Sequence, residues 1–381
     1  MLSIGQGLKT GNDTSASFSD DLANTIVIFS YQGRNWSVFV TIFMTITVNK
    51  LITIIIPCYN SAQTIGTCLR AVYQSDYPHY EVIVVDDHSS DESRNIIQEY
   101  PCHLISLPQH QGAGYARNAG AKASRGDILF FTDADCVLEE NTLSIVAETM
   151  VTVDSNVVVG GTYTKRPYDN NFFSRFQSLF IHYSEIKHAV NPDYIATHAQ
   201  AMYARLFKQH NGFTNQVFPI LEDVEYSHRL KRAGVKLIIN PKLQVKHIFN
   251  FSFLRSIRNA IRKTRFWTIY SLRNKDLLAD SGTASHELKI NTLAFTLMAI
   301  LLILFTVTKN NLYIASLIAL VIINIGVNFR FLTSIYRTQG LFFTLAAACY
   351  YMFVYPIAVS TGSLLGISSY MKYRYASREA E

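Results

Sequence analysis

The hydrophobic positions of the chain follow two regimes. From Leu51 to about Lys289, short apolar runs alternate with amphipathic stretches; beyond that point long uncharged runs replace them. "LITIIIPCYN" is a β-branched run closed by Pro57 and reads as a buried strand. "SAQTIGTCLRAVYQS" follows, with Ile65, Leu69 and Val72 recurring at helical spacing behind a candidate cap, Ser61. "YEVIVVDDHSSDES" is a second buried strand ending in Asp86 and Asp87, with Ser and Asp placed to cap another helix. Strand, helix, strand, helix in succession predicts a parallel sheet.

The uncharged runs are Ile290 to Thr308, Asn310 to Phe329 and Thr338 to Met371. A helix rises about 1.5 Å per residue and a bilayer's hydrocarbon core is about 30 Å thick, so each of the first two is long enough for one crossing. The third exceeds a crossing, yet cutting it at Pro356 leaves two pieces too short, so one tilted or broken span is expected. About three transmembrane helices therefore occupy 290–371, followed by a tail, 372–381. A hydrophobic content of 49% with only 16% charged residues agrees.

Ahead of these runs, Phe251 to Lys275 carries seven Lys or Arg and no acid. Arg255, Arg258, Arg262 and Arg265 repeat at three and four residues, Phe253, Ile257, Ala260 and Ile261 form another face, and Trp267 and Tyr270 follow. Residues 251–289 are thus expected to lie in the interface of anionic membrane lipids. The apolar runs that come next count against a nucleic-acid partner. Loop charge places the region 51–250 on the cytoplasmic side, although Lys372, Arg374 and Arg378 then fall outside unless the third segment re-enters. Residues 1–50, polar at first and then apolar for too short a stretch to span, are left unassigned or disordered. Five cysteines without a C-x-x-C pair fit a reducing compartment.

In parallel sheets ligands bind at the carboxyl ends of strands, and three polar clusters fall there: "PCYN", "DDHSSD" and "TDADC". Asp133 and Asp135 stand one residue apart after the run "DILFF". Like charges that close stay ionised when a cation sits between them, which a solvated turn would not require. Glu222, Asp223 and Glu225 open an amphipathic helix, where the helix dipole alone accommodates acids. No phosphate-binding glycine motif follows a strand, which weakens dinucleotide and P-loop readings.

"IIIPCYN", "VIVVDDHSSDES", "GAGYARNAGAKASRGDILFFTDADC", "HNGF" and "LEDVEYSHRLKRAG", in that order, resemble a family 2 glycosyltransferase with the nucleotide-diphospho-sugar transferase (GT-A) fold. The resemblance covers Leu51 to about Phe249. It implies an α/β catalytic domain at 51–250 with a mostly parallel sheet, followed by an α-helical membrane domain. It further implies that Asp87 contacts the nucleotide base beside Pro57 and Tyr59, that Arg117 lies near the nucleotide, and that Asp133 lies near the ribose. Asp135 would bind a divalent metal, Mg²⁺ or Mn²⁺, on the diphosphate of a nucleotide-diphospho-sugar donor, with His247 as a third ligand. Asp223 would be the general base for inverting transfer, and Glu222 would orient the loop or the acceptor. Arg229 is read as binding phosphate or pairing on its own helix.

The implied function is a membrane-bound inverting glycosyltransferase with a lipid-linked or membrane-proximal acceptor, in a bacterial or archaeal cell membrane. "RKTRFW" only approximates the Q-x-x-R-W signature of processive synthases, so polymer synthesis is not expected. The other reading is a catalytically silent nucleotide-sugar-binding or scaffolding membrane protein. Intact Asp87, Asp133, Asp135 and Asp223 count against it.

Overall fold

The computed structural model describes residues 50–214 and 220–379. The expectation for 1–50 lies, apart from Lys50, outside the described residues. The chain enters the sheet through β1 (Ile52–Cys58), crosses by α1 (Ile65–Val72) to β2 (Tyr80–Asp86), and passes α2 (Ser93–Gln98) to β3 (His103–Ser106). It then runs through α3 (Ala113–Ala123), β4 (Ile128–Phe131), β5 (Cys136–Leu138), α4 (Thr142–Thr152) and β6 (Val157–Tyr163). After α5 (Phe172–Ile186) come β7 (Gln200–Tyr203), α6 (Ala204–Gln209), α7 (Glu222–Arg232) and β8 (Lys236–His247). Ile52, Ile54, Ile55 and Ile56 are wholly buried, as befits a central strand covered on both faces.

The eight strands lie in the order β3-β2-β1-β4-β7-β6-β8-β5. β3, β2, β1 and β4 are mutually parallel, as the alternating pattern predicts. In the far half β7 runs antiparallel to β4 and β6, and β5 antiparallel to β8, while β6 and β8 are parallel, so the sheet is mostly parallel as expected, with β7 and β5 reversed. No helix separates β4 from β5, so the chain turns instead of crossing over. The sheet is mixed, and the break in direction beside β4 opens the cleft at the carboxyl ends of β1, β2 and β4.

The C-terminal part is helical: α8 (Phe253–Asn274), α9 (His286–Thr308), α10 (Asn311–Val327), α11 (Phe329–Gln339), α12 (Leu341–Cys349), a π-helical turn at Tyr350–Val354, and α13 (Tyr355–Glu379). By length and composition alone, His286–Thr308 and Leu341–Lys372 suit a membrane crossing; α10 and α11, bent by 65° at their junction, make a third if taken as one span. The second uncharged run is therefore not one straight helix. The third stays continuous across Pro356, because the π turn just before it absorbs the hydrogen bond the proline cannot donate.

Within residues 251–289, α8 also packs against the rest of the chain. Arg255, Arg258, Arg262 and Arg265 are exposed as expected. Of the expected apolar face Ala260 is buried, together with Ser256 and Thr268, while Phe253 remains 45% exposed. This face lies along α13, where a Cβ at Gly362 would stand 2.6 Å from the Ile261 carbonyl and one at Gly366 would stand 2.7 Å from that of Arg265. The two helices run in the same direction, since Ser256 bonds Tyr350 at 2.9 Å and Arg265 bonds Ser369 at 3.0 Å.

Candidate active site

The cleft is built from loops that the strands fix in place. At the end of β1, Cys58 accepts the amide of Asp87 (2.8 Å), joining the Pro57–Tyr59 turn to the end of β2. The Asp87 carboxylate accepts from the amides of Gln111 and Gly112, each at 2.8 Å, and stands 2.9 Å from His110 Nδ1. His110 in turn stacks on Tyr59 with ring centroids 4.0 Å apart. An exposed pair of flat rings thus stands over a buried carboxylate, a form suited to a planar ligand. His110 escaped the sequence analysis, and only its place just before the glycine-flanked start of α3 hinted at it.

The Asp133–Cys136 turn after β4 is closed by Cys136 N–H to the Asp133 carbonyl (3.0 Å) and anchored to β8 by Ile248 N–H to the Asp135 carbonyl (2.8 Å). That anchoring brings His247 Nε2 to 3.4 Å from Asp135 Oδ2. On the other side, buried Arg117 reaches from α3 and donates to Asp133 Oδ1 and to Glu222 Oε1, both at 2.6 Å. The guanidinium thereby links the carboxylate pair after β4 to the acids that open α7. Asn118, next along α3, holds the chain before α7 by bonding the Phe213 carbonyl and amide at 2.7 and 2.9 Å. Leu221, at the head of α7, adopts φ +79°, a strained conformation for a branched residue directly before Glu222 and Asp223.

Electrostatics separate these acids. Burial alone would raise Asp133, but the adjoining Arg117 guanidinium overcomes it and holds Asp133 below the ordinary carboxylate range. Burial pushes Asp135 up, His247 opposes this, and the charge of Asp133 adds to it. Asp223 is pushed up to about 7, first by burial and then by the charge of Glu222 beside it, with Arg117 opposing. Its Oδ1 is oriented by the Val224 amide at 2.8 Å. Arg229 takes the second of its two readings, pairing with Glu225 on its own helix at 3.1 Å.

The donor set fits a hard divalent cation. Ligand atoms of Asp133, Asp135 and Cys136 lie within 4.8 Å of one another, and the buried Nδ1 of His247 has no hydrogen-bond partner among the described residues. Burial holds the Cys136 thiol protonated, so carboxylate oxygens and imidazole are the competent donors.

Behind these groups lies a set the sequence analysis passed over. Glu185 is pushed up to about 8 by burial against the bond from Thr162, and His198 is pushed down to about 3 by burial; the two stand 3.6 Å apart. His198 stacks on Tyr163 at 4.0 Å. Lys263 of α8 is exposed, yet its charge acts on Asp135, Glu185 and Asp223 and lowers all three. The helix expected only to bind lipid thus also presents a cation to the cleft.

A sheet of this order with acids gathered beyond β1, β2 and β4 defines a GT-A nucleotide-diphospho-sugar transferase fold. The mannosyltransferase PcManGT from Pyrobaculum calidifontis, solved with GDP-Man and Mn²⁺, shares it: TM-score 0.50 at 19% identity, over 82% of this chain and 86% of that one. Residues 53–209 match the model for glycosyl transferase family 2. Glycosyltransferase GlyG of Streptococcus pneumoniae is 27% identical over 130 residues, 33% of this chain and 43% of its own length. The Escherichia coli enzyme WfgD, a UDP-Glc:α-D-GlcNAc-diphosphoundecaprenol β-1,3-glucosyltransferase, is 33% identical over 104 residues, 26% of this chain and 41% of its own. The chain spans less than half the length of these curated relatives.

Proposed function

We propose that the protein is a membrane-bound inverting glycosyltransferase that moves a sugar from a nucleotide-diphospho-sugar to a lipid-linked or membrane-proximal acceptor. The observation that carries this reading is Asp223. Its carboxyl sits across the Arg117 bridge from the Asp133–Asp135 pair and is pushed up to about 7, the range in which a general base both accepts and releases protons well. In this reading Tyr59, Pro57 and Asp87 receive the nucleobase, with His110 as the second ring of the platform. Asp133 lies near the ribose, held by Arg117. Asp135, Asp133 and His247 would hold Mg²⁺ or Mn²⁺, which when bound neutralises charge on the departing diphosphate.

Asp223 takes the proton from the acceptor hydroxyl as that oxygen attacks the anomeric carbon from the face opposite the leaving group, so the configuration inverts in a single displacement. Glu222, fixed by Arg117, keeps the head of α7 in place. The acids divide the work: those after β4 belong to the donor and those opening α7 to the acceptor.

Membrane attachment rests on α9 and on the stretch Leu341–Lys372, both long and apolar enough to cross. We place the catalytic domain in the cytoplasm, on the side that the basic α8 and the α11 arginines favour. Anionic lipids would meet the exposed arginines of α8. A lipid-linked acceptor is supported by the acceptor in the E. coli relative's name.

Asp223→Asn tests the assignment. Asn caps a helix about as well as Asp, so a merely structural residue would tolerate the change. A general base would not: turnover should fall roughly 10² to 10⁴-fold while nucleotide-sugar binding by calorimetry persists. Near-normal turnover, or donor binding lost in step with turnover, refutes the role.

A further inference from the structure

We propose that the protein carries a receptor for a phosphate-bearing membrane lipid, with the phosphate held by Lys165, Arg330 and Arg337 and the hydrocarbon seated in an aromatic groove beside α12. The first half of the site is a cavity of about 420 Å³ lined by Lys165, Phe329, Arg330, Thr333, Ser334 and Arg337. Arg330, Thr333, Ser334 and Arg337 recur at three, four and seven residues, one face of α11, while Phe331 and Ile335 on the other face are buried. Lys165 comes from the loop after β6. Three cations and two hydroxyls therefore converge on a wall without a carboxylate, and no ion pair of these cations occurs among the described residues. Like charges so gathered repel until an anion enters, and guanidinium forks with hydroxyl donors match phosphate oxygens.

The second half is a groove of about 530 Å³ whose wall includes Phe172, Phe173, Phe253, Ala346, Tyr350 and Phe353. Arg175 of α5 ties the two halves together. It donates to Gln339, two residues beyond Arg337, and lies 4.5 Å over the Phe343 ring, which meets Phe172 on the groove wall at 5.0 Å. Tyr350 and Phe353 belong to the π-helical turn, a feature that concentrates at functional sites because it widens the helix and re-aims its side chains.

A phosphate pocket beside an apolar groove, at the ends of helices apolar enough to cross a bilayer, selects an amphiphile over a soluble phosphate. Identifying that lipid with the acceptor rests on the transfer reading above; the binding itself does not.

The test uses the full chain in detergent micelles without donor, measuring retention of radiolabelled polyprenyl diphosphate and of phosphatidylglycerol, with inorganic pyrophosphate as the free-anion probe. The unaltered chain should retain at least one of the lipids more tightly than pyrophosphate. Arg330→Gln with Arg337→Gln should weaken retention roughly fivefold per cation. Lys165→Gln, on a different element, should do the same by its single step even if α11 does not tolerate the double change. Ala346→Trp should weaken the lipid and spare pyrophosphate, and Arg205→Gln on α6 should alter nothing. Tighter retention of the polyprenyl diphosphate makes this the seat of the acceptor; tighter retention of phosphatidylglycerol makes it a headgroup site for the bulk membrane. Pyrophosphate bound as tightly as either lipid, or lipid retained equally by the glutamine variants, overturns the proposal. Because no sugar is transferred in this assay, failure of the transfer reading would leave its outcome untouched.

Discussion

Replacing Glu222 by Gln should move the acid limb of catalysis. Asp223 is raised to about 7 by burial first and by the charge of Glu222 second. A base must be ionised to act, so in the unaltered protein kcat/KM should fall tenfold per pH unit below about 7, and at pH 6 about a tenth of the molecules are competent. With an effective dielectric of about 20, a like charge on the neighbouring residue, within roughly 10 Å, contributes about 1.7 kcal/mol or more, which is about one pH unit or more. Glu222→Gln removes that charge. It also frees Arg117 from one of its two partners, and Arg117 lowers Asp223 further. Both effects have the same sign, so the limb should move by about one unit or more toward acid pH. The assay is kcat/KM from pH 5.5 to 8.5 at constant ionic strength, with the nucleotide sugar that supports turnover. The maximum rate is expected to drop as well, but the position of the limb is the readout. A limb that stays put or moves upward refutes the coupling. A flat profile in the unaltered protein would remove Asp223's ionisation from the step altogether.

Asp135→Ala, or excess EDTA on the unaltered protein, should abolish transfer, and Mn²⁺ or Mg²⁺ should restore it only where Asp135 is present; full activity in EDTA would rule out the metal clamp. Arg117→Met should destabilise the catalytic domain by about 3 kcal/mol or more, because Asp133 and Glu222 lose their shared cation while remaining partly buried. An unchanged thermal midpoint would contradict that. Gly366→Leu should cost about 1 to 3 kcal/mol by overpacking against the Arg265 carbonyl and Thr268. A midpoint like that of Gly326→Leu, at a position with nothing within 4 Å, would show that α8 and α13 do not pack this closely.

The half of the sheet built from βα units was legible in the sequence because its strands are buried on both faces and leave continuous apolar runs such as "ITIII". The other half was not. β5 and β7 are three and four residues long, too short for any period to show, and β5 follows β4 by a turn with no crossover helix. Asp133, Asp135 and Asp223 announced themselves as acids out of place after strands or at a helix start. His110, Glu185, His198 and Lys263 gave no such signal, because each acts through a neighbour distant along the chain: Lys263 affects Asp135 across more than a hundred residues. The charge period of α8 was plain, whereas of its packed face only Ala260 was singled out. Ser256 and Thr268 look unremarkable unless the glycines of α13 are set against them.

The pairing of α8 with α13 also bears on how the protein is made. Translation adds roughly 5 to 20 residues per second, so α8 leaves the ribosome several seconds before Gly362 and Gly366 exist to receive it. Through that interval the catalytic domain can be complete while its mounting is not, and α8 presents a groove-seeking face of serine, alanine and threonine with nothing to fill it. The final helix is thus a keystone laid last. A nascent chain stalled within α12, or one released early, would carry a finished N-terminal domain on an incomplete mounting, and quality control could recognise it by that unfilled face alone.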